Sequence, residues 1–423
     1  MTCVHHIAEP GGRGAPARGR KTAPAFPVLP PSLAVGKWRR GLAALVILPG
    51  LVALSGCSLP RAYETALVLA DTAAGAAPSR LKATTPAPLR APVAYHVGGR
   101  QRAADLYRPG AGRPRAGLVL VPGAVPQGRN EPRVVAFAQT LARAGFAVLV
   151  PEMTGFAELT LHPRDAREVA DAFAWLVSQA ELTPEGRAGM IALSYAVGPA
   201  VLAALQEDIR AQVRFILGVG GYHDLSRALR FVTTGWFEHA GRWQAIAPDA
   251  YGQLVLVRSA RPYLASMRDR TLLETMVERR LADRAAALDD LAEQLSGEGR
   301  AVYTLATNRD RDRFPALFEA LPANMKRDLA ALNLTDQDLA RLGARLILVH
   351  GRNDNLIPYP ESLALASAAD PQRARVFLIH RILGHVDLSL AHVLSRQFWR
   401  EELPDVWRMG RATYLLLSER ADE

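Results

Sequence analysis

The sequence predicts an α/β protein: a mostly parallel central sheet flanked by helices, interrupted by a large helical insertion. Two observations carry this prediction. Between residues 91 and 224, short apolar runs of strand length alternate with segments of helical periodicity. The alternation stops for about 115 residues of mostly helical pattern and resumes near residue 344. Because the later strands are needed to complete the sheet, we expect a core over 91–224 and 341–423 and an insertion over 225–340.

The elements of the first half follow in a regular order. Segments 94–97 and 102–107, joined by Gly98-Gly99, predict a hairpin. Short apolar runs then predict buried strands, and apolar side chains at helical spacing predict the helices between them. The strands are expected at 117–122, 146–151, 189–193 and 213–218, and the helices at 132–144, 165–180 and 196–207.

The second half adds strands at 344–350 and 374–379, a helix at 360–369 and a helical region from about 388. Within the insertion, Thr335-Asp-Gln-Asp338 has the spacing of a capping box, which predicts a helix before Gly343. Four aromatic residues of the insertion are candidates either for a pocket lining or for the insertion's own core. They are Trp236, Phe237, Trp243 and Tyr251.

Residues 1–57 read as an N-terminal extension and a signal peptide. Lys37-Trp-Arg-Arg40 precedes a short apolar run that ends at Leu54-Ser-Gly-Cys57, the layout of a secretory signal. These last four residues resemble the bacterial lipobox, whose cysteine is joined to diacylglycerol. The resemblance implies lipidation of Cys57 and a membrane partner through that lipid anchor, in the bacterial cell envelope. Ser58 favours the outer membrane, with the protein facing the periplasm.

An uncleaved membrane anchor is the alternative, although a spanning helix needs about 20 apolar residues and this run is interrupted by Pro49-Gly50. Residues 58–90, rich in Ala, Pro and Thr, predict a flexible tether with a short helix near 62–73. Of the net charge of +10, +6 falls within residues 1–57, so +4 remains on the rest. That is an ordinary solubility charge, and nucleic acid is therefore not expected as a partner.

Candidate catalytic side chains follow three strands of the predicted sheet. Ser194 lies between a strand and a helix, where a tight turn exposes a hydroxyl group. Asp354 follows the strand 344–350, and His385 follows the strand 374–379. Because the carboxyl ends of parallel strands meet at one edge of a sheet, the three side chains can form a catalytic triad. Ser194 would be the nucleophile, His385 the base and Asp354 the acid that orients it.

The segments Gly351-Arg-Asn-Asp-Asn-Leu-Ile-Pro358 and Gly384-His385 resemble the α/β-hydrolase superfamily, over about residues 91–415. The likeness is strongest to dienelactone-hydrolase-like and serine-peptidase-like members with a helical cap. It implies a serine hydrolase without a cofactor, acting on a carboxylic ester or related acyl compound. Ala192 and Ala196 depart from the glycines that usually flank the nucleophile in this superfamily.

An oxyanion hole needs two backbone N–H donors. Tyr195, directly after the nucleophile, and Ala124, in the position of the superfamily's His-Gly-X loop, are the candidates. Some relatives carry the triad acid after the fourth strand, which makes Asp224 a backup acid. His223 and His350 are interpreted as structural, and Asp387 as a helix cap.

Metal-ligand spacing and a glycine-rich dinucleotide motif are both absent from the sequence, so no metal and no cofactor are expected. Two alternatives stay open. The first is peptidase or acyl-transfer chemistry with the same triad. The second is a non-catalytic hydrolase-fold lipoprotein of the envelope, used for binding or scaffolding.

Overall fold

A computed structural model describes residues 58–385 and 402–420. Within these ranges the chain forms ten strands. They are β1 (Leu89–Val97), β2 (Arg100–Arg108), β3 (Ala116–Val121), β4 (Phe146–Pro151), β5 (Ala188–Leu193), β6 (Val213–Val219), β7 (Trp236–His239), β8 (Arg242–Ala245), β9 (Arg345–Gly351) and β10 (Ala374–Ile379). Eight of them form one sheet in the order β1-β2-β4-β3-β5-β6-β9-β10. The strands from β4 to β10 along that order run parallel to one another. Strand β2 runs antiparallel to both of its neighbours, β1 and β4.

Helices cover both faces of this sheet. They are α1 (Leu59–Ala74), α2 (Arg80–Thr84), α3 (Pro132–Arg143), α4 (Thr154–Ala157), α5 (Arg164–Val177), α6 (Val197–Ala204), α7 (Leu225–Thr234), α8 (Ala250–Ala260), α9 (Met267–Ala282), α10 (Asp289–Ala292), α11 (Gly297–Thr307), α12 (Phe314–Glu319), α13 (Ala323–Ala331), α14 (Pro360–Ala368) and α15 (Leu403–Leu417). Successive side chains of a strand point to opposite faces, so β3 places Leu118 in one apolar layer and Val119 in the other. The strands predicted from apolar runs are confirmed.

The first two strands form the predicted hairpin. They pair antiparallel from Leu89–Arg108 to Val97–Arg100. Gly98 and Gly99 have φ of 55° and 76°, the left-handed conformation that a tight two-residue turn requires. Glycine adopts it without a steric penalty, which explains the Gly-Gly pair at this point of the sequence.

Residues 58–90 do not form the flexible tether that the composition predicted, and the short helix expected near 62–73 is part of the longer α1. Ser58 caps α1, its hydroxyl accepting a hydrogen bond from the backbone N–H of Arg61. Asp71, on the same helix, is fully buried. Its carboxylate contacts Lys82 Nζ of α2 at 2.6 Å and accepts a hydrogen bond from Thr140 Oγ1 of α3 at 2.6 Å. The prediction is wrong because packing and a buried ion pair dock this segment onto the core.

The insertion lies between two adjacent strands of the sheet, since β9 pairs with β6. It is mostly helical, from α7 to α13, as the pattern predicted, and we refer to it as the cap. The β7–β8 hairpin within it was not predicted, and the helix expected after Thr335 is a single 3₁₀ turn at Leu339–Arg341. Just before that turn, the Asn333 side chain accepts a hydrogen bond from the backbone N–H of Leu225 and so ties this part of the chain to the start of α7.

In the part of the chain that the structure describes, no helix is both long and apolar enough to cross a bilayer. The predicted signal segment with Cys57, the Asp387 cap and the start of the last helical region lie outside the described residues. The expectations placed on them stay predictions.

Candidate active site

Ser194 sits at the sharp turn between β5 and α6. Its φ is 58°, a left-handed backbone conformation that costs a non-glycine residue about 1–3 kcal/mol. A 3₁₀ turn at Ser194–Ala196 follows and leads directly into the helix. Ala192 and Ala196 are completely buried on either side, so small side chains fit where glycine usually stands. The turn places the serine hydroxyl at the carboxyl edge of the sheet.

The structure brings Ser194, His385 and Asp354 together in one hydrogen-bonded chain. Ser194 Oγ lies 2.6 Å from His385 Nε2, and His385 Nδ1 lies 2.6 Å from Asp354 Oδ2. The three residues are far apart in the sequence and meet because each follows a parallel strand of the sheet. This is the geometry in which a histidine can take the proton of a serine hydroxyl.

Asp354 is fixed by both of its carboxylate oxygens. Oδ1 accepts hydrogen bonds from the backbone N–H groups of Leu356 and Ile357, at 2.8 and 2.9 Å. Burial by itself raises the pKa of the Asp354 carboxyl, but the neighbouring His385 and the hydrogen bond from His350 outweigh it and hold that pKa below its ordinary value. The carboxylate therefore stays charged, and it can stabilise a protonated His385.

His350 is the second imidazole at Asp354. Its Nε2 lies 2.9 Å from the carbonyl oxygen of Ile357 and 3.3 Å from Asp354 Oδ2, and its Nδ1 lies 2.7 Å from Ser362 Oγ. Because a carbonyl oxygen only accepts, Nε2 carries the proton and Nδ1 accepts from the serine hydroxyl. His350 thus has the structural role expected of it, because its Nε2 also contacts the Asp354 carboxylate.

Gly220, at the end of β6, is a site residue that the sequence reasoning missed. Its φ is +65°, and a Cβ there would lie 3.2 Å from both Asp354 Oδ2 and His385 Cε1. Any larger residue would press on the hydrogen bond between these two side chains. The Gly220-Gly221 pair after a strand was the available signal.

Asp224, the backup acid, has another role. Its Oδ1 accepts hydrogen bonds from the backbone N–H groups of Ser226 and Arg227, at 2.9 and 3.2 Å, and so caps α7. Its own backbone N–H donates to Glu361. The carboxylate bonded to His385 is that of Asp354, because the loop after β9 ends beside the imidazole.

The loop after β3 passes over the turn that carries Ser194. A Cβ built on Gly123 would lie 3.5 Å from Ser194 Cβ, so the loop backbone is close to Ser194. This places the two expected oxyanion-hole residues, Ala124 and Tyr195, on adjoining loops. The carbonyl oxygen of Ala124 accepts a hydrogen bond of 2.8 Å from the hydroxyl of Tyr251, a residue of the cap helix α8.

The side chain of Tyr195 is anchored beneath the site. Its hydroxyl donates to Asp165 Oδ2 at 3.1 Å, and its ring stacks on Tyr222 at 5.9 Å between centroids. Burial raises the pKa of Asp165 to about 7, against the smaller opposing effect of hydrogen bonds from the His162 backbone and Tyr195. Sequence reasoning did not single out Asp165, since its partner lies 30 residues away.

A cavity of about 890 Å³ opens onto Ser194 and His385. Two helices of the insertion line its cap side with one stripe each, Leu225, Ala228, Leu229 and Val232 from α7 and Tyr251, Gly252, Val255 and Leu256 from α8. Of the four aromatic candidates, Tyr251 lines the cavity. Phe237 packs with Phe231, and the Trp236 and Trp243 rings contact Arg311.

Among residues 58–385 and 402–420, no group of three or more His, Cys, Asp or Glu side chains is placed to hold a metal ion. The expectation that the protein needs no metal or cofactor stays a prediction.

Comparisons with known proteins bear on the fold. No family model matches the chain. Glutamate–tRNA ligase 1 of Parvibaculum lavamentivorans is 31% identical over 131 residues, which cover 27% of this chain and 29% of that protein. The chain thus spans less than a third of the curated relative it matches, and that similarity assigns no family.

Solved structures give a clearer result. A Legionella pneumophila protein described provisionally as a hydrolase matches with a TM-score of 0.50 and 12% identity, over 79% of this chain and 90% of its own. The chain has the α/β-hydrolase fold. A serine hydrolase of Cycloclasticus zankles, at 14% identity, covers 78% of this chain and 98% of its own, with a TM-score of 0.40. An acylaminoacyl peptidase of Pyrococcus horikoshii, at 12% identity, covers 79% and 41%, also with a TM-score of 0.40. The predicted fold class is confirmed.

Proposed function

We propose that this protein is a serine hydrolase that cleaves a carboxylic ester or a related acyl compound through an acyl-enzyme. The observation that carries the proposal is the continuous hydrogen-bonded chain from Ser194 Oγ through His385 to Asp354, with both distances at 2.6 Å. The strained backbone of Ser194 adds support, because such strain is found where a side chain is held for function.

The proposed reaction follows from these contacts. Ser194 Oγ attacks the acyl carbon while His385 Nε2 takes the hydroxyl proton, and Asp354 stabilises the charged imidazole. The backbone N–H groups of Ala124 and Tyr195 receive the developing oxyanion. His385 then returns the proton to the leaving alcohol. A water molecule, deprotonated by the same imidazole, attacks the carbonyl carbon of the acyl-enzyme. The tetrahedral intermediate collapses as His385 gives the proton to Ser194 Oγ, which releases the acid and restores the free serine.

The cavity favours a substrate with an apolar acyl or alcohol group. On the cap side, α7 and α8 present aliphatic side chains such as Leu229 and Val255, both largely buried. Burying a methylene group contributes about 0.8 kcal/mol, whereas burying an unpaired charge costs several times more. Charged side chains, Glu131 and Arg284 among them, also border the cavity, but a small charged acyl group gains none of the apolar burial on the cap side, and we expect it to be a poorer substrate.

The test is turnover of p-nitrophenyl esters of increasing acyl length by the purified protein. We expect kcat/KM to rise up to about fourfold per added methylene until the chain fills the cavity, and to stay low for the hemisuccinate. Ser194→Ala should lower turnover by about 10⁴-fold or more. Ser367→Ala, an exposed serine on α14, is the matched control and should keep full activity.

Retention of activity in Ser194→Ala would contradict the proposal. Folded wild-type protein that hydrolyses none of the esters would favour the non-catalytic alternative. The corresponding p-nitroanilides separate ester from amide cleavage, because a peptidase would turn both series over.

We also propose that Cys57 is lipidated and that its lipid anchors the enzyme in the outer membrane of a bacterial cell envelope. The folded domain would face the periplasm. The lipobox-like Leu54-Ser-Gly-Cys57 supports this. Metabolic labelling with an alkyne fatty acid in a Gram-negative bacterium should label the wild type and not Cys57→Ala, and the label should fractionate with the outer membrane. Equal labelling of both would contradict lipidation at this residue.

A further inference from the structure

The cap helix α8 is tied to two loops of the catalytic site. At its first turn, the hydroxyl of Tyr251 donates a 2.8 Å hydrogen bond to the carbonyl oxygen of Ala124. Just before the helix, the backbone N–H of Asp249 donates to the carbonyl oxygen of Asn355, also at 2.8 Å. Ala124 belongs to the loop that passes over Ser194, and Asn355 directly follows the triad acid. One end of one cap helix therefore contacts both loops.

In the loop after β3, the contact from Tyr251 fixes the peptide that follows Ala124. Pro122 and Pro126 lie on either side of Ala124 and have no N–H to donate, so they cannot help to fix the loop through backbone donors. The hydrogen bond from Tyr251 holds the carbonyl of Ala124, and this limits rotation of the residue whose own N–H is the proposed oxyanion donor. A shift of well under 1 Å in that donor is enough to weaken its bond to the oxyanion.

Tyr251 is suited to a permanent donor role. It is about half-buried, and burial raises the pKa of its hydroxyl to about 12, so it stays protonated at neutral pH. Its ring belongs to the apolar stripe of α8 that lines the cavity. Removing the hydroxyl alone leaves that packing in place and removes only the bond to the loop.

We infer that Tyr251 is a positioning residue, through which the cap sets the oxyanion-hole N–H of Ala124. The inference rests on the proposed function. The bond from Tyr251 is made to the protein and not to the substrate, so its loss changes stabilisation of the transition state and leaves ground-state binding unchanged. Tyr251→Phe should therefore lower kcat about 10- to 100-fold with KM changed by less than about twofold, since a full oxyanion donor contributes about 10²–10³.

The matched control is Tyr263→Phe. Tyr263 is another cap tyrosine, and its hydroxyl donates a 2.9 Å hydrogen bond to Asp328 Oδ2 instead of to the loop after β3. Each variant loses one tyrosine hydrogen bond of the cap, but Tyr263→Phe should keep wild-type kcat. The rate of phosphonylation by a fluorophosphonate, which forms a similar tetrahedral oxyanion, should fall in Tyr251→Phe by the same factor as kcat. If the hydrogen bond of Tyr251 only stabilised the fold, its loss would lower the unfolding midpoint without lowering kcat and the phosphonylation rate by the same factor.

Three outcomes would overturn the inference while wild-type protein is active: unchanged kcat and phosphonylation rate in Tyr251→Phe, a rise in KM at unchanged kcat, or an equal loss in Tyr263→Phe. Wild-type protein that neither hydrolyses esters nor reacts with the fluorophosphonate would instead refute the proposed function. The two failures are thus distinguishable.

Discussion

Asp354 joins the backbone of its own loop to the imidazole of His385. Its Oδ1 holds two N–H groups of the turn, and its Oδ2 contacts His385 and His350. The position of Asp354 after a strand was readable from the sequence, as were those of Ser194 and His385. For Gly220 the only signal was a Gly-Gly pair after a strand. For Asp165 and Tyr251 the sequence gives no signal of their roles, because each depends on a neighbour that only tertiary packing brings near.

Asp354→Asn should lower kcat by about 10³- to 10⁴-fold, because an amide at this place favours the wrong tautomer of His385. Asp224→Asn is the matched control, since Asp224 caps α7 and an asparagine caps about as well. Steady-state ester hydrolysis measures both. An equal loss in the two variants, or a greater loss in Asp224→Asn, would contradict the assignment of the acid.

Because the pKa of the Asp165 carboxyl is raised in the folded protein, we expect the stability of the protein to depend on pH. Its pKa is raised to about 7 by burial, above the unfolded value of about 3.9, so the folded state binds the proton more tightly. The resulting stabilisation is fully present below about pH 4 and is lost as the pH rises through 7. In that window the free energy of unfolding of wild type should fall, relative to Asp165→Asn, by about 1.4 kcal/mol per pH unit.

Urea denaturation of both proteins between pH 4 and 8 measures this difference. Asp208→Asn, an exposed carboxylate, serves as the control and should follow the wild-type curve. Parallel curves for wild type and Asp165→Asn would show that the carboxyl is not perturbed as described.

Among the elements, the strands were the easiest to predict. A buried parallel strand is a short continuous apolar run, as in Phe146–Pro151, and few other structures give that pattern. The segment 58–90 was misread because its composition is that of a linker. Its order comes from contacts with distant elements, such as the bond between Asp71 and Thr140. Composition alone does not contain such contacts.

Packing of this segment can be tested with two leucines. Leu81, on α2, is 4% exposed, and Leu59, at the start of α1, is 65% exposed. Leu81→Ala should lower the free energy of unfolding by about 2–5 kcal/mol through the lost burial and the cavity left behind. Leu59→Ala should change it by less than about 0.5 kcal/mol. Denaturant unfolding compares them, and two silent substitutions would mean that the segment is detached from the core.

At the scale of the whole molecule, Ser194, Asp354 and His385 lie on three loops at one edge of the sheet, and the insertion covers them. The sequence indicated both parts, since the alternation of strands and helices breaks at about residue 225 and resumes near 344. It could not indicate how the insertion packs. The approach of α8 to the loop after β3 joins Tyr251 to Ala124, two residues separated by 127 positions. Local periodicity carries no information about that contact.

The most direct test of the account is covalent capture of the nucleophile. Purified protein is treated with a fluorophosphonate, and the adduct is located by peptide mass spectrometry. We predict one adduct on Ser194, no adduct in Ser194→Ala, and much slower labelling in His385→Ala, whose serine has lost its base. Folded wild-type protein that remains unlabelled, or that is labelled on another residue, would contradict it.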